Sequence, residues 1–491
     1  MLKNASFSVL QVLVVAATLL VLYRILLETI GIEKLGIWSL VLASTSLTGV
    51  GGLGMPGSVV KFVAKYDARG ERQNAERVVQ TALWSIAIFS GILLIAVYPA
   101  CSYLLSVAMP AGGLLDARAI LPHAIFSVWL MLLASVVYSA LDGMQRIDLR
   151  GSTLMVGSVL NLGLCAALAS KFGLTGVAWA KIGQNAFLLI LSTALLAKCL
   201  RSTSWLRPGW SRPLFKESIG YGINFQLMSL ANMLWDPMTK GLLSKFGSLE
   251  MVGYYEMAAR LVTQLRSIII SANAVLVPVI AEQQEKSPDK VIRLYLDTYS
   301  VLFVLALPAF TLVMVCMPLI SMLWIGRYVA TFALFGSLLS AGWFLNTLNA
   351  PAFFTYMGTG ELAWSLTSQV TVAILNLALG VALGMQFGGV GVVCGWVLAL
   401  SIGGSLVYLS FHRRHNIPTA ILFPVSSKAL ALVCLLAVGA SILVQLLSSP
   451  VNSLRLNLVV SAAFGVILAA TLWMHPLRSR VTKAARTIGS P

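Results

Sequence analysis

Runs of about 20 apolar residues, long enough to cross the hydrocarbon of a bilayer, recur from the start of the chain to its end with only short gaps between them. No other feature constrains the fold as strongly. In lipid the backbone N–H and C=O groups find no water, so each run must satisfy its own as a helix. With 58% of 491 residues hydrophobic and 10% charged, the side chains cannot all be hidden in a soluble core. The sequence therefore predicts an all-α polytopic membrane protein. The short gaps leave no room for a soluble catalytic domain. The first run, apolar from about Ala5 to Tyr23 after Lys3, is long and lacks an A-x-A cleavage site, so it is expected to stay as the first helix.

Helices are expected at about 5–27, 36–60, 79–106, 119–140, 150–170, 174–197, 216–243, 250–280, 293–317, 329–352, 363–385, 388–410, 426–447 and 454–474, about 14 transmembrane helices in all. Twelve is the competing number, because only Gly-rich turns around Gly173 and Gly388 divide two of the pairs. Basic residues set the orientation. Lys61, Lys65, Arg69, Arg72 and Arg77 follow helix 2, and Lys198, Arg201, Arg207, Arg212 and Lys216 follow helix 6. Arg413, Arg414 and Lys428 follow helix 12, and Arg478, Arg480, Lys483 and Arg486 form the tail. The opposite loops hold little more than Lys34, Arg118, Lys171, Lys245, Arg327 and Arg455. The positive-inside rule then predicts that both termini are cytoplasmic.

The formal net charge of +17 is spread over these loops, as in a polytopic protein facing anionic lipid, and predicts no nucleic-acid partner. The six cysteines and four histidines lack metal-ligand spacing, so neither a metal nor another cofactor is expected. His412 and His415, which flank Arg413 and Arg414, read as interfacial.

Comparison of the chain with itself reveals a repeat. At a shift of 215, VLNLGLCAALASKFGLTGVAWA (159–180) lies over ILNLALGVALGMQFGGVGVVCG (374–395), sharing Asn161/Asn376 and the Phe-Gly-x-x-Gly-Val turn. Near the start, GIEKLGIW (31–38) resembles GSLEMVGYY (247–255) at a shift of 217. Helices 1–6 thus map onto 7–12. Six is an even number, so the copies are parallel, and two such bundles about an axis along the membrane normal are a transporter architecture. The expected organisation is an N-lobe at 1–198, a cytoplasmic linker at 199–215, a C-lobe at 216–411, and helices 13 and 14 with a basic tail at 412–491. Packing explains the shared glycines, and interhelical hydrogen bonding explains the shared asparagines.

One stretch is more specific. In LETIGIEKLGIWSLVLASTSLTGVGGLGMPGSVVKFVAKYDARGERQNAERVVQTAL (27–83), Gly31, Gly36 and Trp38 form a turn, Gly52, Leu53 and Gly54 lie in helix 2, and a basic loop runs from Lys61 to Arg77. This pattern resembles the opening of the polysaccharide transporter branch of the MOP flippase superfamily. VGYYEMAARLVTQ (252–264) resembles that family's element opening helix 8, and Pro278 sits where members often carry proline. The resemblance implies a Wzx-type flippase that moves an undecaprenyl-pyrophosphate-linked oligosaccharide across the cytoplasmic (inner) membrane, alternating between inward-open and outward-open states around a cationic central cavity. It also implies membrane lipid and polysaccharide assembly proteins as partners. A Ser-Arg-Val-Leu-Gly motif of the lipid II flippase relatives is not found in the first helix.

Ionisable residues inside spans cost about 2.5–3.5 kcal/mol near the helix centre and are usually turned inward or paired. A pyrophosphate cargo gives such cations a reason to exist. Arg260, Arg266, Arg24, Lys181 and Lys240 are the candidate cargo-binding residues, and Asp236, Pro237 and Glu256 the candidates for gating or ion coupling. Asp236 and Lys240 are spaced i, i+4 and can neutralise each other, while Pro237 loosens the helix between them. Glu256 and Arg260 share the same spacing, which offers Arg260 a structural alternative as an ion-pair partner. Arg266, six residues beyond Arg260, lies on a different face. The competing functions are a MATE-like ion-coupled antiporter, which would favour acids over bases in the membrane, and, more remotely, a membrane glycosyltransferase or polymerase. The latter would need a large extramembrane domain or a carboxylate cluster.

Overall fold

The computed structural model of the protein describes residues 2–52, 54–271, 280, 288–359, 363–424, 427–447 and 450–474. Pro278 and the basic tail residues Arg478, Arg480, Lys483 and Arg486 lie outside the described residues. Among the described residues the regular structure is helical, without strands.

The chain opens with α1 (Leu2–Ile30) and α2 (Ile32–Ser46), joined at Gly31, whose φ of 81° suits a residue without Cβ. The second predicted span is broken. α2 ends in a 3-10 turn (Leu47–Gly52), and α3 (Met55–Ala68) starts after Gly54 in the left-handed conformation, with a proline in its first turn. The glycines of residues 49–54 remove the helix-favouring side chains, and the Pro56 ring can only begin a helix. α4 (Arg72–Ala108) and α5 (Ala111–Gly143) follow, extending past their expected ends.

α6 (Ile147–Leu200) runs through two predicted spans but breaks at Gly173, with φ 56° and ψ −132°, a conformation essentially closed to other residues. α12 (Ala363–Arg414) breaks in the same way at Gly388, with φ 60° and ψ −145°. The same local geometry thus recurs 215 residues apart, at the two turns that the repeat aligns. Between them lie α7 (Arg212–Phe246), α8 (Leu249–Ser271), α9 (Pro288–Ile325), α10 (Ala330–Thr347) and α11 (Ala350–Thr359). α10 and α11 form one bent span with a 41° break, where Pro351 restarts the helix. α13 (Lys428–Leu447) and α14 (Pro450–Met474) complete the chain.

Among the described residues, eight segments are long and apolar enough to cross a membrane, and α10 with α11 can make a ninth. Two of the eight are divided by the glycine breaks at Gly173 and Gly388. The protein is a multi-pass membrane protein.

Contacts divide the chain into two compact units, Met1–Glu256 with Phe387–Gly389, and Met257–Gln386 with Val390–Pro491. The core of the first joins Val59, Phe62, Val79, Ile86, Val136 and Val137 of α3, α4 and α5. Trp205, 1% exposed, pins the loop after α6 to that core. In the second unit, Tyr295, Tyr299, Tyr356 and Phe411 form one cluster, while Val315, Leu430, Cys434 and Phe464 seat α13 and α14. His412 belongs to the former. It is buried, with Nε2 2.8 Å from the Tyr295 hydroxyl, whereas the sequence suggested an interfacial position. His415, whose ring lies tilted against Phe411 at 4.4 Å, is the exposed member of that pair.

Candidate functional site

Glu256 is the centre of a buried polar cluster in the first unit. It lies two turns into α8 and is 2% exposed. A carboxylate so placed needs donors for both oxygens. The Tyr23 hydroxyl on α1 donates to Oε1 at 2.6 Å, and the Ser39 hydroxyl on α2 donates to Oε2 at 2.8 Å. The Lys240 ammonium on α7 lies 2.7 Å from Oε2. Four helices therefore converge on one side chain.

Lys240 is 1% exposed and spans two carboxylates, because its ammonium also donates to Asp236 Oδ2 at 2.5 Å. The i, i+4 pair expected from the sequence thus forms, and a second acid joins it. Asp236 is half-exposed, so only Glu256 and Lys240 are fully withdrawn from solvent. Pro237 lies inside α7 one residue after Asp236 and leaves the Met233 carbonyl without its N–H partner, which softens the helix beside the pair. A buried charge pair is neutral as a unit and costly to split.

The remaining cations stand elsewhere. Arg24, one residue after Tyr23, is exposed and pairs with Glu28 at 3.0 Å. The Lys181 ammonium donates to Gln184 Oε1 at 2.8 Å. Arg260 is exposed on α8. Arg266, on another face of α8, belongs to a group in the second unit. Its guanidinium lies 4.5 Å from the Trp343 ring centre, and Nη2 donates to Asn346 Oδ1 at 3.2 Å. Trp343 meets Trp396 edge-on at 6.3 Å. A Cβ on Gly404 would come 2.9 Å from Asn346 Nδ2, so this glycine makes room for the amide. The Arg266 Nε is buried and lacks a hydrogen-bond partner in this arrangement. A planar cation on an aromatic face with a free donor is suited to an anion.

Sequence reasoning found the charged members and missed their neutral partners. Tyr23 and Ser39 sit in otherwise ordinary apolar helices, and Trp343 and Asn346 share one face of α10 at i, i+3. Nothing local points from Arg266 to a helix 80 residues away. Among the described residues no group of three or more His, Cys, Asp or Glu is placed to hold a metal ion.

The fold has solved relatives. A multidrug resistance MATE family transporter of the MOP superfamily, in an inward-facing conformation, superposes with a TM-score of 0.71 at 16% identity, covering 82% of this chain and 94% of that one. The lipid II flippase MurJ, in an inward closed conformation, superposes with a TM-score of 0.70 at 13% identity over 96% of this chain and all of its own (100%). A MOP superfamily transporter from Pyrococcus furiosus, described as having a binding pocket of reverse polarity, gives 0.61 at 18% identity, covering 84% of this chain and 96% of that one. In sequence, the probable multidrug resistance protein NorM of Rhizobium meliloti (strain 1021) is 24% identical over 219 residues, 41% of this chain. That match spans 46% of the relative's own length. The family model described as "Polysaccharide biosynthesis protein" matches residues 1–284, more than half of the chain, and shows that the chain belongs to that family, with the fold of the MOP superfamily transporters.

Proposed function

We propose that the protein is a flippase that moves a polyprenyl-pyrophosphate-linked oligosaccharide across the cytoplasmic membrane by alternating access. The observation that carries this reading is a polysaccharide biosynthesis family match over residues 1–284 in a chain whose α8 holds an arginine, Arg266, against an aromatic ring and an amide. The Arg266 charge is held by neutral groups, so it remains available to a phosphate. Arg260, exposed on the same helix, and Arg24 and Lys181 are the further cations assigned to the cargo. Lys240 is better suited to the gate with Asp236, Pro237 and Glu256, because two carboxylates already claim its ammonium. In this reading the cargo is the undecaprenyl-pyrophosphate type, both termini are cytoplasmic, and polysaccharide assembly proteins receive the product.

The test is translocation of an undecaprenyl-pyrophosphate-linked oligosaccharide in proteoliposomes, normalised to inserted protein. Arg260→Ala should lose most of the transport, and Arg260→Lys should keep part of it, because lysine retains the charge without the bidentate fork. Full transport by Arg260→Ala would remove Arg260 from the cargo site. Ion-coupled antiport of a small molecule is the second reading, supported by the similarity to a probable multidrug resistance protein. Proteoliposomes that move a lipophilic cation such as ethidium against an imposed ion gradient, and leave the lipid-linked oligosaccharide in place, would favour it.

A further inference from the structure

The repeat relates residues near the starts of α2 and α8 by a shift of 217. Applied to the cluster around Glu256, that shift pairs Ser39 with Glu256 itself and Tyr23 with Lys240. The four side chains that meet there are therefore two pairs of equivalent positions, one member from each copy. Their neighbours obey the same relation. A Cβ on Gly36 would stand 2.0 Å from the Leu249 carbonyl oxygen, and a Cβ on its equivalent, Gly253, 2.4 Å from the carbonyl oxygen of Ile32, the equivalent of Leu249. Leu26 and its equivalent Leu243 are both fully buried. Reciprocal contacts of this kind, in which each copy offers the same patch to the other, are the mark of a two-fold axis. All of these residues lie within the first compact unit.

We infer that α2 and α8 cross on a two-fold axis that relates these two segments, and that Gly36 and Gly253 with Tyr23, Ser39, Lys240 and Glu256 form an axial clamp that must release when this end of the transport pathway opens. The inference rests on the alternating-access reading but not on the identity of the cargo. The clamp closes the end that carries the α1–α2 and α7–α8 turns. A cavity of about 590 Å³ lies at that end, lined by Glu33 and Glu250, which are again equivalent positions, together with Lys245, Ser244 and Met109.

The physical logic is specific. The two glycines bring the helix backbones into contact, which leaves no space for water between them. Beneath them, the bonds that cross from the first copy to the second, from Tyr23 and from Ser39, end on a single carboxylate. Two acids at equivalent positions on an axis would repel. The copies have instead diverged to one acid with a hydroxyl opposite, and to one base with a phenol opposite, so the cluster holds a charge pair that is neutral. Lys240 comes from the same copy as Glu256 and keeps the carboxylate charged, which strengthens the two hydrogen bonds that cross. Grip and charge balance therefore sit on separate residues.

The clamp is tested by hydrogen–deuterium exchange mass spectrometry on the full chain in nanodiscs, following peptides from residues 32–46 and 249–262. The Tyr23→Phe/Ser39→Ala double variant removes the crossing donors while leaving the Glu256–Lys240 pair intact. Gly36→Ala wedges the helices apart. Each bond to a charged group changes an opening equilibrium by about ten- to a hundredfold. Both variants should therefore speed exchange in both peptides by about tenfold or more. Gly163→Ala, whose Cβ would meet nothing within 4 Å, should leave exchange as in the parent. Faster exchange only in the mutated helix, or in neither, overturns the clamp. If Gly36→Ala does not fold, the double variant decides alone. Exchange is read without cargo, so a wrong cargo assignment leaves this result standing.

Discussion

Replacing Lys240 by Met should destabilise the protein far more than replacing Glu256 by Gln, although the two residues are partners in one ion pair. The structure explains the asymmetry. Without Lys240, Glu256 keeps its two hydroxyl donors but loses the cation 2.7 Å from its Oε2, while Asp236 turns to solvent. Stripping one partner from a buried pair costs about 3–5 kcal/mol. Without the Glu256 charge, Lys240 still holds Asp236 at 2.5 Å, and the Gln side chain can accept from Tyr23 or Ser39. That loss is nearer to one or two hydrogen bonds, about 1–2 kcal/mol. For a unit of this size each kcal/mol moves the midpoint by about 2 °C. Lys240→Met should thus lower Tm by about 6–10 °C, and Glu256→Gln by about 2–4 °C. The Lys240→Met/Glu256→Gln double variant should recover several degrees relative to Lys240→Met, since it removes the stranded charge. The assay is thermal unfolding of purified protein followed by size-exclusion fluorescence. Equal shifts for the two single variants, or a double variant whose shift is their sum, would refute the reasoning.

Two further outcomes follow from the local geometry. Gly173→Ala and Gly388→Ala each force a Cβ into a conformation that favours glycine, at about 1–3 kcal/mol each. Both should lower the yield and Tm of folded protein, while Gly439→Ala, with nothing near its Cβ, should not. Trp343→Ala and Arg266→Lys remove the same stacked contact, so the double variant should be about 1 kcal/mol less destabilised than the sum of the two single variants. Additive losses in that cycle would show that the contact contributes nothing.

What the sequence determined by itself is local. Hydropathy dictated a helical membrane protein, because in lipid each segment must bond its own backbone. Glycine marked the breaks at Gly173 and Gly388, since conformations open mainly to glycine require no knowledge of distant residues. The i, i+4 spacing of Asp236 and Lys240 placed their charges together for the same reason. The shift of 217 aligned residues 31–38 with 248–255, yet did not say that they touch. Tertiary structure decided that. Glu256 had a plausible partner four residues on in Arg260, and only the packing of α1, α2 and α7 against α8 reveals Tyr23, Ser39 and Lys240 around its carboxylate. Likewise Arg266 was legible as an intramembrane cation, but Trp343 and Asn346 beside it were not. A side chain's neighbours along a helix follow from 3.6 residues per turn. Its neighbours across helices depend on how the whole chain folds back on itself.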